Sequence, residues 1–208
     1  MQFEKAVVRS FSVVDRALRR TFPGDYHKRC LYAAFGMQAL LSDFGHAASI
    51  QGGDAATFMV SQSEDQAGMQ GFANAAEGQA HYWVVAAGQL VDIGPHYLPQ
   101  DSSFAAATVP LVCWELAQGF PTFLRYRALE DFGSVTALVA TNEIRARMES
   151  FIGHCRMKVN QQLGQPKLPT WILTDRQAVD AHAKRGDPWA RGALQFASMP
   201  GIERSLPF

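Results

Sequence analysis

Three residues of this chain have the types and the placement to act together as nucleophile, base and orienting carboxylate: Cys30, His81 and Asp92. A cysteine attacks through its thiolate, and a helix N-terminus favours that anion, because its unsatisfied N–H groups and aligned dipoles carry positive charge. Cys30 follows a polar, basic stretch, Tyr26-His27-Lys28-Arg29, and opens the apolar run Leu31 to Phe44, which reads as a helix. His81 opens the strand-like His81-Tyr82-Trp83-Val84-Val85, and Asp92 lies in the next one, Leu90-Val91-Asp92-Ile93. A histidine beside a thiol can hold it as an ion pair and later return a proton to the leaving group. A carboxylate behind that histidine fixes its tautomer and stabilises its charged form. With a turn near residues 86–89, His81 and Asp92 fall close to opposite one another, where paired Cβ atoms are roughly 5 Å apart.

The elements that must hold these groups follow from periodicity. Residues 3–20 read as an amphipathic helix, with Val7, Val8, Phe11, Val14 and Leu18 at helical spacing. Pro23-Gly24-Asp25 breaks it and delivers the loop before Cys30. The helix from Cys30 is apolar on more than one face, so it is expected to be central, with Gly45 as its C-terminal cap and Gly36 marking close packing. His46–Gln51 and Thr57–Val60 read as a strand pair separated by Gly52-Gly53, and residues 61–80 as a long surface loop. Residues 81–93 form a hairpin with Gly88-Gln89 in the turn region. Strands are expected at 109–116 and 122–129, giving four to six in all, mostly antiparallel. Helices follow at 142–163, near 175–184 and around 189–196. The fold class is α+β and the reading is a single domain, 1–208, with a catalytic core at about 26–130 and a helical region at about 140–208.

The totals narrow the function classes. The chain has 208 residues, 48% of them hydrophobic and 18% charged, which suits a globular core. Its 19 basic and 19 acidic residues balance, so nothing points to nucleic acid. No apolar run is long enough for a transmembrane helix, and the N-terminus lacks the pattern of a secretory signal. The expectation is no membrane association. Three widely spaced cysteines, Cys30, Cys113 and Cys155, suit neither a disulfide framework nor a zinc site, and a reducing cytoplasm is the simplest home.

Other residues have plainer readings. Cys113 and Cys155 sit in apolar patterns and read as core. His96 is a rival base four residues beyond Asp92, but Gly94-Pro95 takes it off the strand. His27 and His46 flank the cysteine helix and could line the site; His154 and His182 read as surface residues. Tyr26, His27 and Trp83 are candidates for the oxyanion site or the pocket wall, though Trp83 reads more readily as core. Zinc on Cys30, His81 and Asp92 is chemically permitted but lacks a closely spaced ligand pair, so no metal is assigned. The glycines form no phosphate loop or dinucleotide fingerprint.

A cysteine opening a helix, then a histidine strand, then an aspartate strand resembles the order of the papain-like cysteine-proteinase superfamily. The spacing is closer to its transglutaminase-like and arylamine N-acetyltransferase-like branches. Asp43-Phe44-Gly45-His46-Ala47 looks like the end of their nucleophile helix and the following strand. His81-Tyr82-Trp83 with Val91-Asp92-Ile93-Gly94-Pro95 looks like their His-x-Trp and Asp-x-x-Pro pattern. The likeness covers about residues 26–96 and is similar to an uncharacterised bacterial family on that fold. It implies a papain-like fold, with a nucleophile helix packed on an antiparallel sheet. It also implies a thiol acyl-transfer enzyme with Cys30 as nucleophile, His81 as base and Asp92 as orienter, acting on a small-molecule or peptide substrate. No cofactor is required, although the transferase branch would suit an acyl-CoA donor. The stretch Pro23 to Arg29 lacks the glutamine that papain-like proteases use for the oxyanion, which weakens a peptidase reading more than the fold. A binding module retaining these residues and a redox thiol protein are the alternatives.

Overall fold

Helix α1 (Phe3–Thr21) buries a face including Val7, Phe11, Val14 and Leu18, and turns Arg16, Arg19 and Arg20 outward. Helix α2 (Cys30–Asp43) is apolar all round because it is covered all round, by α1, by α4 (Asn142–Gln161) and by strand β3. Gly45 ends α2 with φ +89, and the His46 N–H reaches back to Leu41 O at 3.0 Å, a left-handed cap that glycine adopts at little cost. A Cβ on Gly36 would stand 3.0 Å from the Phe151 ring and 3.1 Å from Val14, so this glycine lets α4 and α1 approach. The protein is described by a computed structural model over residues 1–72, 81–132, 141–162 and 164–208.

The strands are β1 (Ala48–Val60), β2 (Ala67–Phe72), β3 (His81–Ala86), β4 (Gln89–Asp92), β5 (Leu111–Glu115), β6 (Leu124–Asp131) and β7 (Ile172–Leu173). Pairing runs β2-β1-β3-β4-β5-β7, and β6 also pairs with β1. All pairs are antiparallel except β5 with β7, so the sheet is mixed and has seven strands among the described residues, more than the four to six expected. Residues 51–53 of β1 pair with both β3 and β6, and residues 55–57 with both β2 and β6. Strands β2 and β3 therefore share one edge of β1, end to end, and β6 takes the other edge. That arrangement brings Phe72, the last residue of β2, next to His81, the first of β3.

Three expectations need correction. Gly52-Gly53 does not end a strand; β1 runs straight through it with a register shift against β6. A Cβ on Gly53 would lie 2.1 Å from Arg127 O, and one on Gly52 would meet the Phe132 and Tyr82 rings, so the glycines admit neighbours rather than a turn. Residues 61–80 are not one loop, because 67–72 form β2; residues 73–80 lie outside the described residues, as do 133–140 and Leu163 at the end of the expected α4. The hairpin turns at Ala87-Gly88 (φ 51 and 75), and Gln89 already belongs to β4. Two residues with positive φ match the twist of the strands they join.

The sheet has a core on each face. On one, α1, α2 and α4 pack against Ile50, Val84, Val91 and Leu111. On the other, Trp83, Leu90, Val112 and Trp114 meet α5 (Arg176–Lys184) and α6 (Pro188–Ala197), centred on the fully buried Trp189. The Trp189 indole N–H donates to Phe58 O at 2.8 Å. Asp175 and Asp187 cap α5 and α6 by accepting from the N–H groups of Ala178 and Ala190. The architecture is α+β. Among the described residues no helix is long and apolar enough to cross a membrane.

Candidate active site

His81 opens β3 and is fully buried. Its Nε2 stands 2.6 Å from Asp92 Oδ2. Extending the β3–β4 register places Asp92 opposite Trp83 and Gly94 opposite His81, so the pair is close to opposite, as expected, but offset diagonally by two residues. His81, Trp83 and Asp92 still share one face, and a diagonal pair is within reach of side chains of this length.

Asp92 is 3% exposed and held by three donors. Besides His81, the Gly94 N–H donates to Oδ1 at 2.7 Å and the Tyr126 hydroxyl to Oδ2 at 2.7 Å. Burial and the Asp92 charge, with its hydrogen bond, push the Tyr126 hydroxyl well above its ordinary pKa, so it remains a donor. The imidazole lies between rings: Phe72 stacks on it at 4.7 Å between centroids with a 5° interplanar angle, and Trp83 lies at 6.1 Å. A Cβ on Gly94 would sit 2.2 Å from His81 Cε1, so only glycine leaves room for the ring here.

With Nε2 engaged by Asp92, Nδ1 is the ring nitrogen left for chemistry. It is buried without a hydrogen-bond partner among the described residues. Cys30, the first residue of α2, is partly exposed and lies within electrostatic reach of the ring. Burial lowers the His81 pKa, but the Asp92 charge and hydrogen bond, joined by the Cys30 side chain and its charge, outweigh it and raise the value to about 10. No side chain caps α2, so its first N–H groups have no such partner. Burial pushes Cys113 and Cys155 up to about 12, and neither has a comparable base.

The remaining candidates are dispersed. His27 lies 3.3 Å from Asp101 and lines a cleft of about 430 Å³ with Gln70, Phe72, Tyr97 and Leu98. Phe72 joins that cleft to His81. Tyr26 is turned elsewhere: Arg19 donates to its hydroxyl at 3.0 Å and its ring meets Tyr97 edge-on. Tyr97 in turn donates to the buried Asp15 at 2.9 Å, which ties the loop before Cys30 to α1. Trp83 is buried beneath His81. His96 lies on the short α3 (Gly94–Tyr97), bonds Val109 O at 2.9 Å and has its pKa lowered by burial. His46 belongs to the far end of α2, bonded to Met1 O at 3.0 Å, so it does not line the site as expected; a helix of 14 residues is about 20 Å long. Among the described residues no three His, Cys, Asp or Glu side chains are grouped to hold a metal ion.

No protein-family model and no curated protein matches the chain. A solved crystal structure described only as genomics APC5867 is similar over 80% of this chain and 82% of its own, at 18% identity and a TM-score of 0.47. A likeness that slight carries no argument about fold or activity.

Sequence reading passed over three residues of the site. Gly94 reads as a strand stop, although its place two residues after Asp92 also fits an N–H turned back onto that carboxylate. Tyr126 and Phe72 gave no local signal, because strand pairing far along the chain brings them in.

Proposed function

We propose that the protein is a thiol-dependent acyl-transfer enzyme, an amide or peptide hydrolase or a transferase. The fold proposed is papain-like, in the transglutaminase-like and arylamine N-acetyltransferase-like branch. The carrying observation is the buried His81: Nε2 committed to Asp92, Nδ1 without a hydrogen-bond partner among the described residues, and Cys30 at the opening of α2 acting on the same ring.

In this reading the Cys30 thiolate attacks a carbonyl carbon while imidazolium His81 holds its proton at Nδ1. The developing oxyanion turns toward the uncapped first turn of α2, where backbone N–H groups favour negative charge. Collapse of the tetrahedral intermediate breaks the bond to the leaving group, which takes the His81 proton, and leaves a thioester on Cys30. His81 then accepts a proton from water or an acceptor amine as it attacks the thioester, and Cys30 is released. Asp92 keeps Nε2 protonated throughout. The cleft beside Phe72 is the proposed seat of a small-molecule or peptide substrate. Unpaired cysteines suit a reducing cytoplasm.

The test is acylation by p-nitrophenyl acetate. Release of p-nitrophenolate with one acetyl group on Cys30, located by peptide mass spectrometry and lost in Cys30→Ser and His81→Ala, supports the reading. No adduct, or adducts spread over the three cysteines, contradicts it and leaves a binding module.

A further inference from the structure

We propose that the groove between α1 and α4 binds a small phosphomonoester. The groove encloses about 320 Å³ and shares no residue with the Cys30 site. That volume is at the lower end for small-molecule pockets, which run from roughly 300 Å³ upward.

One face of each helix builds it. Val13, Arg16, Ala17 and Arg20 recur at spacings of three and four on α1; His154, Lys158 and Gln161 do so on α4, with Gln162 just beyond. Val13 and Ala17 supply apolar surface, and Arg16, Arg20 and Lys158 supply three cations. Among the described residues no carboxylate lines the groove. Among the described residues none of these three cations has a carboxylate within ion-pair distance, whereas Arg19, Arg29, Arg127 and Arg156 each do. In a chain of zero net charge this is a local concentration, not a general basic surface.

Two of the cations are also positioned. Arg16 is fixed by Nε to Ser12 O at 2.8 Å and Nη2 to Ser12 Oγ at 2.9 Å, which among the described residues leaves other guanidinium donors for a ligand. Lys158 is steadied by Gln161 Oε1 at 3.2 Å. Half-buried His154 on the wall reports the field, since burial and then the charges of Lys158 and Arg20 lower its pKa. A dianionic phosphate matches guanidinium and ammonium donors and cancels that field. The groove's apolar side takes the ester's carbon skeleton.

Glycerol 3-phosphate is the probe, titrated at fixed ionic strength while the histidine resonances are followed by NMR. Saturable binding at or below about 1 mM is expected. His154 should titrate at higher pH when the ligand is bound. The double variant Arg20→Ala/Lys158→Ala should weaken binding roughly tenfold or more without lowering the melting temperature of the free protein, because two like charges are removed. Arg147→Ala, on α4 but outside the groove, should bind as wild type. A parallel arm uses phosphatidylcholine vesicles carrying phosphatidic acid. The proposal is overturned by no saturation, by an unmoved His154, by equal affinity in the double variant, or by binding to the vesicles but not the soluble ester.

Discussion

His81 Nε2 and Asp92 Oδ2 stand 2.6 Å apart across two adjacent strands, in a diagonal pair that both residues complete from full burial. The geometry decides which ring nitrogen is free, and it couples the charge state of His81 to the stability of the fold.

Asp92→Asn should therefore destabilise the protein by roughly 3 kcal/mol near neutral pH, since it leaves a buried cation without its partner. The pH dependence has a definite sign. The folded His81 pKa is raised to about 10. The stability it contributes is complete below the unfolded value of about 6.5 and is lost as pH rises through the folded one. Urea unfolding of wild type and variant from pH 6 upward should show a gap that closes toward pH 10. A gap that widens with pH would contradict the coupling.

Gly94→Ala tests the fit of the imidazole. Its Cβ would fall 2.2 Å from His81 Cε1 and 2.7 Å from Nε2, so the ring must leave its place between Asp92 and Phe72. Expected are a stability loss of about 1–3 kcal/mol and a loss of Cys30 reactivity comparable to His81→Ala. Alkylation kinetics on folded variant are the check; wild-type kinetics would show that the ring position does not matter.

Gly53→Ala tests the fold around the site rather than the chemistry. The new Cβ would meet backbone, 2.1 Å from Arg127 O, and backbone cannot swing away. A loss of about 3 kcal/mol or more is expected, against a change within about 0.5 kcal/mol for Gly68→Ala, where nothing lies within 4 Å of the added methyl. Thermal melts of the two variants separate them.

Helices α1 and α4 were legible because their apolar residues recur at helical spacing, α2 because a long apolar run follows a polar loop, and Gly45 because a cap is local chemistry. Cys30, His81 and Asp92 stood out because each sits at or near the boundary of a periodic segment. Gly52-Gly53 misled because glycine signals a turn and a close backbone approach equally, and only β6, more than seventy residues later, decides between them. Strand β2 was hidden for a related reason: Ala67-Gly68-Met69-Gln70-Gly71 has no alternation, and its strand form depends on pairing with β1. The diagonal offset of His81 and Asp92 follows from the turn at Ala87-Gly88, one residue later than the Ala86-Ala87 turn that would set them directly opposite. Phe72 and Tyr126 reach the site only through that long-range pairing.

Alkylation by iodoacetamide at pH 6, with the three cysteines resolved by mass spectrometry, tests the central claim most directly. Cys113 and Cys155 are pushed up to about 12 and should stay unmodified. Cys30 should react first, and its rate should fall at least roughly tenfold in His81→Ala, because the proposed pairing with imidazolium is lost. Equal labelling of all three thiols, or an unchanged Cys30 rate in His81→Ala, would contradict the pairing on which the proposed chemistry rests.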